Sequence, residues 1–402
     1  MSPVRAALEA QALSEATPVA FLFDLDGYDA ALSGLRAVFP ADTLHTVAIK
    51  ANPVGALLRR AVAQGHGVEA ASAGELALAL RVAPPERILL DSPCKSRAEL
   101  AHALAAGVHV NLDSLQEVAR VADLGPPEGS RVGLRVNPVV GAGRVLSTST
   151  AMAGSKFGVD LGSQRDEILA AFRAHPWLTG LHVHVGSAGC DLELLARGVA
   201  VVAQLALEIE SVTFVDIGGG LPIEPEPVAF GAYAEALRAA APSLFDGRWR
   251  LATEFGRRIF GPSGVCVSRV EYTKVSGSTQ IAVTHAGADL FVRAALTADN
   301  PLRITVLGPD GSPKTGEHSP WDIAGPLCFS GDLLARGRAL PPIAPGDWLV
   351  VHDAGAYSFS HSTRYNSRPL PAIWGHRSGA GFHLLRPGQT LDEIVGFWDP
   401  SV

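Results

Sequence analysis

Several features that would direct this chain to other functions are scarce or missing. The 402 residues include no long basic run and carry a net charge of −7, so nucleic acid is a poor candidate partner. No stretch of about 18 uninterrupted apolar residues occurs, so no membrane span is expected. The first 17 residues lack the long apolar core of a secretory signal.

Cysteine is also rare. The four cysteines are widely separated and form no Cys-x-x-Cys pair: Cys94, Cys190, Cys266 and Cys328. Such isolated thiols argue against a zinc knuckle or a disulfide framework, and they fit a reducing cytosol. We therefore expect a cytoplasmic protein with no metal site.

A regular alternation of short apolar runs and longer amphipathic segments extends from about Phe21 to Pro262. Hydrophobic residues make up 47% of the chain, which is ample for a packed core. The candidate strands are Thr46–Ile49, Gly67–Ala70, Ile88–Leu90, Val108–Leu112, Val132–Val136, Gly180–His184, Phe214–Ile217 and Arg250–Thr253. Strand–helix alternation indicates parallel strands joined by crossovers, and eight repeats over about 240 residues predict a (β/α)8 TIM barrel at 21–264. A doubly wound open sheet is the alternative.

The character of the sequence changes after Gly264. Turns rich in glycine, proline and serine separate further strand-like runs, and helical runs are scarce. These runs are Val265–Val275, Gln280–Thr284, Asp289–Arg293, Arg303–Leu307 and Trp348–His352. They predict a second, all-β domain at 265–402.

Polar residues with cofactor chemistry follow several of the barrel strands. They are Lys50, His184, Asp216, Gly218–Gly220 and Glu254. The active site of a TIM barrel lies at the carboxyl ends of its strands, so these residues would meet over one mouth. A lysine, a histidine, a glycine loop and a carboxylate in this arrangement suit pyridoxal 5′-phosphate (PLP).

Three of these positions have a specific use with PLP. Lys50 would form a Schiff base with its aldehyde. Gly218–Gly220 would let backbone N–H groups approach its phosphate. Glu254 would keep the pyridine nitrogen protonated, which makes the ring a strong electron sink. Each position also has an ordinary explanation. Lys50 could be a surface lysine, Gly218–Gly220 could be a tight turn, and Glu254 could be a carboxylate paired with Arg257 or Arg258.

Four further residues are candidates whose individual signals are weak. His184 could stack on the cofactor ring, although a satisfied core histidine is the simpler explanation. Ser187 and Tyr357 are candidate phosphate contacts. Cys328 could donate a proton, although a lone cysteine is more often a small buried hydrophobe. The inference therefore depends on the joint arrangement.

On these residues the chain resembles the fold-type III PLP-dependent decarboxylases, the group that contains diaminopimelate, ornithine and arginine decarboxylases. The matching blocks are Val47–Pro53, Ala71–Glu75, Arg135–Pro138, Ser155–Gly158, His184–Ser187, Asp216–Gly220, Glu254–Arg257, Cys328–Asp332, Gly355–Tyr357 and Tyr365–Pro369. The last block and Ser155–Gly158 are most similar to the diaminopimelate branch.

The resemblance implies an amino-acid decarboxylase that uses PLP and forms a homodimer with shared active sites. It implies that Lys50 is the Schiff-base lysine, that His184 stacks on the ring and that Glu254 faces the ring nitrogen. The residues expected around the phosphate or nearby substrate are Ser187, Gly218, Gly219, Gly220, Arg257 and Tyr357. Cys328 would come from the partner chain as the acid that protonates the carbanion, and residues 1–20 would join the β domain.

Some positions depart from the diaminopimelate branch. Phe329 stands where those enzymes typically have a glutamate that helps hold the far amino group of the substrate. Arg293 is kept, but Thr297 replaces a tyrosine that grips the far carboxylate. Phe255 replaces a usual proline, and His285 replaces a common aspartate.

These departures predict a changed substrate. An apolar ring in place of a carboxylate leaves a substrate ammonium unpaired, which is costly in a buried site. The expected substrate contacts are Arg257, Arg293, Phe329, Asp332 and Tyr357. We therefore expect a specialised precursor in siderophore or antibiotic synthesis, such as a diamino acid or a conjugate, rather than meso-diaminopimelate.

Three alternatives stay open. One is diaminopimelate decarboxylation in lysine biosynthesis. Another is an amino-acid racemase or epimerase on the same fold, against which Glu254 argues, because alanine racemases place an arginine at the ring nitrogen. A non-catalytic PLP carrier is a poor match, because such proteins are much shorter and lack the β domain.

Overall fold

The structure is a computed structural model that describes residues 3–126, 131–224, 227–296 and 302–400. The chain forms two compact units. One runs from Asp29 to Ile259, and the other joins the described residues up to Tyr28 with those from Phe260 onward. Among the described residues, no helix combines the length and the apolar character needed to cross a lipid bilayer.

Strands and helices alternate in the first of these units, and strands dominate the second. In chain order, the strands are β1 (Val19–Asp24), β2 (Leu44–Ala48), β3 (Gly67–Ala70), β4 (Ile88–Asp91), β5 (His109–Leu112), β6 (Val132–Asn137), β7 (Val159–Asp160), β8 (Leu178–His182), β9 (Phe214–Asp216), β10 (Arg250–Phe255), β11 (Gly264–Ser276), β12 (Thr279–Thr284), β13 (Ile304–Leu307), β14 (Ser319–Ala324), β15 (Leu333–Leu340), β16 (Trp348–Val351), β17 (Ala372–Arg377) and β18 (Gly381–Arg386). The α-helices are α1 (Pro3–Glu9), α2 (Leu25–Arg36), α3 (Gly55–Ala63), α4 (Ala73–Leu80), α5 (Arg97–Ala105), α6 (Leu115–Leu124), α7 (Leu161–Ala174), α8 (Leu192–Ala206), α9 (Phe230–Ala240), α10 (Arg257–Phe260), α11 (Val292–Leu296) and α12 (Leu391–Trp398).

The unit from Asp29 to Ile259 is built on a closed parallel barrel. Its strands follow the order β5-β4-β3-β2-β10-β9-β8-β6, and β6 also pairs with β5, which closes the sheet. The pairs around the ring are parallel, and β7 adds a short strand beside β6. The predicted (β/α)8 barrel is therefore confirmed, and its closure excludes the open doubly wound sheet.

Three strands, β2, β8 and β9, end slightly earlier than the sequence predicts. β2 ends at Ala48 and β8 ends at His182, so Lys50 and His184 lie beyond their strands. The chain turns after Ala48, because the Ala51 N–H donates to the Ala48 carbonyl at 3.1 Å. Lys50 and His184 thus belong to the loops of the barrel mouth, where side chains are not confined to the alternating faces of a strand.

Serine residues begin three consecutive helices of the barrel. Ser72, Ser96 and Ser114 each accept the backbone N–H of a glutamate three residues later. In α5 the Glu99 carboxylate also accepts the Ser96 N–H at 2.7 Å, which completes a capping box. These caps start the helices close to the preceding strand ends, so the loops of the mouth are short in this part of the barrel.

The other unit is built on a mixed sheet. Its strands follow the order β15-β14-β12-β11-β1-β17-β18, and β16 joins β11 to β13. β1 lies between β11, to which it is antiparallel, and β17, to which it is parallel. Buried apolar side chains of this unit include Val4, Leu13, Leu22, Val267 and Trp348. The prediction of a separate, mainly β domain is confirmed.

One predicted strand of this unit is wrong. Asp289–Arg293 forms a turn followed by the start of α11. The Asp289 side chain accepts the Gly287 N–H at 2.9 Å, and the Phe291 N–H donates to the Gly287 carbonyl at 2.9 Å. These local hydrogen bonds take the place of a strand ladder. The strands β1, β14, β15, β17 and β18 of this unit were not predicted, and glycine or charged residues interrupt the apolar runs of the last four.

Candidate cofactor site at the barrel mouth

A belt of buried polar side chains lies near the carboxyl ends of the barrel strands. Seven strands each contribute one such residue, and we call this set the polar belt: Glu69, Asp91, Asn111, Arg135, His182, Asp216 and Glu254. The active sites of TIM-barrel enzymes lie at this end of the barrel. Only Asp216 and Glu254 were singled out from the sequence, so most of the polar belt was missed.

Lys50 lies beside a buried carboxyl group of the polar belt. Its Nζ donates to Glu69 Oε1 at 2.7 Å. The lysine side chain is 33% exposed, whereas that of the glutamate is fully buried. Burial raises the pKa of Glu69 to about 8, against the opposing effect of Lys50. This hydrogen bond holds the Lys50 amine at the barrel mouth, where it is placed to act as a nucleophile.

Glu254 contributes a buried carboxylate to the same belt. Among the described residues, neither of its carboxylate oxygens has a hydrogen-bond partner. His182 Nε2 lies 3.6 Å and His184 Nδ1 lies 3.8 Å from Oε2. Burial and Asp91 would raise the pKa of Glu254, but His182 and Lys50 together hold it below its ordinary value. A buried anion without a donor is costly, so this carboxylate fits the protonated ring nitrogen of PLP.

His184 is held as a neutral ring. The Gly219 N–H donates to its Nδ1 at 3.2 Å, so the ring proton lies on Nε2. Burial, helped by Arg135, lowers the pKa of His184 to about 3. A neutral ring fixed by the backbone can pack against an aromatic cofactor without adding charge. Its stacking role stays a prediction.

The loop Gly218–Gly220 has a shape that excludes side chains. Gly218 has φ +64° and Gly220 has φ +106°, a region that glycine favours. A Cβ on Gly219 would overlap the Glu254 carbonyl oxygen, and one on Gly220 would overlap that of Gly186. The Gly218 and Gly219 N–H groups already donate to Asp216 Oδ1 and His184 Nδ1. The Gly220 N–H is therefore the best placed of the three to meet a phosphate.

Gly219→Ala is expected to destabilise the barrel and to weaken PLP binding. The added methyl group would meet the Glu254 carbonyl, and overpacking of this kind costs about 1–3 kcal/mol. Thermal unfolding with and without PLP measures both effects. Gly231→Ala is the matched control, because a Cβ on Gly231 in α9 would meet nothing within 4 Å. Alanine should be neutral or stabilising there. Equal unfolding temperatures for Gly219→Ala and the parent would contradict this prediction.

Ser187 and Arg257 form a cationic corner beside the glycine loop. The Arg257 Nε donates to Ser187 Oγ at 3.3 Å. Ser187 follows β8 and Arg257 begins α10, so two distant parts of the chain meet here. Gly220 packs against Gly186, the residue before Ser187. A guanidinium beside a hydroxyl offers charge and hydrogen bonds together, which suits a phosphate group.

The remaining predicted site residues belong to the mainly β unit. Cys328 and Phe329 lie on an exposed loop. The Cys328 N–H donates to Asn366 Oδ1 at 2.7 Å, and the Tyr365 hydroxyl donates to the Cys328 carbonyl at 3.4 Å. The rings of Phe329 and Tyr365 meet edge to face, with their centroids 6.5 Å apart. Two sequence motifs of this unit therefore come together.

Asp332 anchors the loop that carries Cys328. Its buried carboxylate accepts the Ala288 N–H at 2.5 Å and the Leu327 N–H at 2.6 Å. These bonds engage both carboxylate oxygens, so the structure gives Asp332 a role in positioning the loop. The predicted contact between Asp332 and the substrate stays a prediction.

Tyr357, Arg293 and Thr297 complete the predicted site residues of this unit. Tyr357 has φ +57°, a conformation that is uncommon for a residue with a side chain and that recurs at functional sites. Its ring lies 5.5 Å from that of His361. Arg293 lies in α11, and Thr297 lies outside the described residues. Their contacts with phosphate or substrate stay predictions.

Two of the positions that depart from the diaminopimelate branch have partners within their own units. The Phe255 ring packs on those of Phe230 and Tyr233 in α9, at 5.2 and 6.1 Å between centroids. Because side chains alternate along β10, Phe255 faces away from the side on which Glu254 lies. His285 Nε2 lies 3.0 Å from Glu271 Oε2. Neither residue needs a change of substrate to explain it.

Comparisons with known proteins indicate the family of this chain. A family model described as pyridoxal-dependent decarboxylase, pyridoxal binding domain, matches residues 29–261. The chain is 37% identical to the diaminopimelate decarboxylase of Deinococcus radiodurans over 401 residues, which cover 98% of this chain and 99% of that protein. It is 35% identical to that of Methanothermobacter thermautotrophicus over 362 residues, 87% and 83% of the two chains. The crystal structure of diaminopimelate decarboxylase from Helicobacter pylori complexed with L-lysine matches with a TM-score of 0.86 at 26% identity, and the match covers 98% of this chain and 99% of that one.

Proposed function

This chain belongs to the pyridoxal-dependent decarboxylases, and we propose that its substrate is meso-diaminopimelate. The chain is therefore a PLP-dependent carboxy-lyase that acts on an amino acid. One observation carries the choice of substrate: the similarity to a protein named diaminopimelate decarboxylase extends over 99% of that protein's length. Loss of one carboxylate from meso-diaminopimelate gives lysine, so the proposed reaction belongs to lysine biosynthesis.

The proposal takes the place of the specialised precursor that the sequence led us to expect. That expectation rested on altered recognition residues, and the comparisons favour the diaminopimelate alternative instead. Phe255 and His285 have partners within their own units, and Thr297 lies outside the described residues. Phe329, which is 41% exposed, is the remaining argument for a changed substrate. One aromatic position is weaker support than similarity over nearly the whole chain.

The residues of the barrel mouth fit the three functional parts of PLP. The Lys50 amine suits the aldehyde, the buried carboxylate of Glu254 suits the ring nitrogen, and the corner of Ser187 and Arg257 suits the phosphate. When bound, PLP supplies an electron-poor ring that accepts the electron pair left behind as CO2 departs.

The chain's own residues orient the reactants and move protons. Glu69 accepts a hydrogen bond from Lys50 Nζ and would orient this amine toward the aldehyde of the cofactor. Glu254 would stay anionic and keep the ring nitrogen of the cofactor protonated. His184 packs beside the ring as a neutral group. Cys328 of a second copy of the chain would return a proton to the substrate carbon that has lost its carboxylate.

Purified protein supplied with PLP is expected to convert meso-diaminopimelate to lysine and CO2 at a rate on the order of 10 per second. Mass spectrometry of the products, with L-lysine, L-ornithine and L-arginine tested beside it, measures the preference. Lys50→Ala protein prepared in the same way controls for uncatalysed loss of CO2. Turnover of another amino acid without turnover of meso-diaminopimelate would contradict the proposal and favour a specialised precursor.

The homodimer with shared active sites remains a prediction, as does the cytoplasmic location. Exposure of motif residues on the mainly β unit supports the homodimer: Cys328 is exposed, and Phe329 and Tyr365 are 41% and 50% exposed. Residues of a functional motif that face solvent in a single chain suit completion by a second copy of the chain.

A further inference from the structure

His182 belongs to the polar belt, but the proposed reaction gives it no task. It is the last residue of β8 and is fully buried. Its Nδ1 lies 3.6 Å from Asp91 Oδ1, and its Nε2 lies 3.6 Å from Glu254 Oε2. The ring therefore bridges two carboxylates that come from β4 and β10, which are far apart in sequence.

Basic and acidic groups alternate along a line that passes through this ring. The Arg135 guanidinium lies 3.2 Å from the Asp91 carboxylate, Asp91 faces His182, and His182 faces Glu254. Other titratable groups that act on members of this line are Asp216 from β9, His184 beyond β8, Glu69 from β3, Asp113 beyond β5, Lys95 beyond β4 and Lys50 beyond β2. Each group of the line lies beside a group of the opposite kind. Without that neighbour, burial would favour the neutral form of the group.

We propose that His182 is a positioning residue, a cation at neutral pH that keeps Glu254 anionic for the ring nitrogen of PLP. The inference rests on the proposed function, because it assigns Glu254 to that nitrogen. Glu254 has no hydrogen-bond donor among the described residues, and the charge of Asp91 repels its own. Without a cation beside Glu254, burial and the repulsion between carboxylates would favour its protonated form. A protonated carboxyl group cannot stabilise the proton on the ring nitrogen.

The electrostatics of the polar belt agree with this geometry. Burial alone would lower the pKa of His182, but Asp91, Glu254 and Asp216 raise it to about 9. His184, two residues further along the chain, shows the contrast, because burial and Arg135 lower its pKa to about 3. We therefore expect the two histidines to differ in charge, because His182 lies between two carboxylates whereas His184 lies near that of Glu254.

Nitrogen-15 NMR of the full-length protein with labelled histidine tests the charge on His182, both with PLP bound and without it. We expect a ring that is protonated on both nitrogens at pH 8 and that titrates near pH 9. His182→Gln identifies the signal by its loss. Burial lowers the pKa of four other histidines well below this range, so their rings should be neutral at pH 8: His45, His66, His109 and His184.

Asp91→Asn tests the cause of the charge. Removal of this carboxylate should lower the midpoint of the His182 titration by about 1 to 3 pH units. Asp166→Asn, at an exposed position of α7, is the matched control and should leave the midpoint unchanged. The shift caused by Asp91→Asn also identifies the signal if His182→Gln does not fold.

Two results would overturn the inference: a neutral His182 ring at pH 8, and a midpoint that Asp91→Asn leaves in place. Neither measurement depends on decarboxylation. A doubly protonated His182 in a protein that does not act on meso-diaminopimelate would contradict the proposed function alone. A neutral His182 in a protein that does act on it would contradict this inference alone.

Discussion

Lys50→Ala is expected to abolish covalent attachment of PLP and decarboxylation together. The variant lacks the amine that binds the aldehyde and exchanges with the substrate, and Glu69 loses the partner that lies 2.7 Å from its Oε1. We expect kcat to fall at least about a thousandfold. Borohydride reduction followed by peptide mass mapping should locate the cofactor on the Lys50 peptide of the parent and on no peptide of the variant.

Lys95 is the strongest competitor for this role, because it follows β4 as Lys50 follows β2. Its side chain is buried, and its Nζ is held by Glu117 Oε2 at 2.8 Å and by the Ser92 carbonyl at 2.5 Å. An amine enclosed in this way is not available to an aldehyde. Lys274→Ala, at an exposed position of β11, is the matched control and should change neither attachment nor rate. A reduced cofactor on the Lys95 peptide would contradict the assignment of Lys50.

The barrel could be predicted from the sequence because each of its strands is a short apolar run beside an amphipathic segment. β3, for example, has the bounds that were predicted, Gly67–Ala70. The mainly β unit was harder to predict, because one face of several strands is exposed and the apolar pattern is broken. β18 consists largely of residues that are not buried, and the turn at Asp289 is set by a side-chain hydrogen bond that no periodicity reveals.

The site could be predicted only in part. Lys50 and Glu254 were found because a polar residue at the end of an apolar run is expected at a barrel mouth. Glu69, Asp91 and His182 were missed, although each is the last or next-to-last residue of its strand. In a closed barrel such a residue faces the interior, which a strand pattern alone does not reveal. The strand-end rule, applied to every predicted strand, would have found them.

The substrate could not be predicted from the departures alone, because their meaning depends on what each side chain contacts. Phe255 was counted as a changed recognition position, yet it packs on α9. His285 was counted in the same way, yet it lies beside Glu271. A substitution within a motif indicates a new substrate only if its side chain faces the substrate, and sequence position does not give that direction.

Glu254→Gln is expected to lower kcat by about 10²- to 10⁴-fold and to change KM much less. The amide has nearly the same shape as the carboxylate, but it cannot carry the negative charge that holds a proton on the ring nitrogen. The loss should fall on the step in which CO2 departs, because an unprotonated ring is a weaker electron sink. Steady-state kinetics with meso-diaminopimelate measure it, with Glu235→Gln, exposed on α9, as the matched control.

Glu254→Asp separates the charge of this residue from its shape. Aspartate keeps the anion on a shorter side chain, so its kcat should lie between those of the parent and of Glu254→Gln. Recovery with aspartate would assign the effect to the negative charge. The proposal that a cationic His182 keeps Glu254 anionic requires the same result. A kcat for Glu254→Gln within about tenfold of the parent, below the range for a proton-transfer group, would contradict the role of Glu254. It would also reopen the racemase alternative, in which the ring nitrogen stays unprotonated.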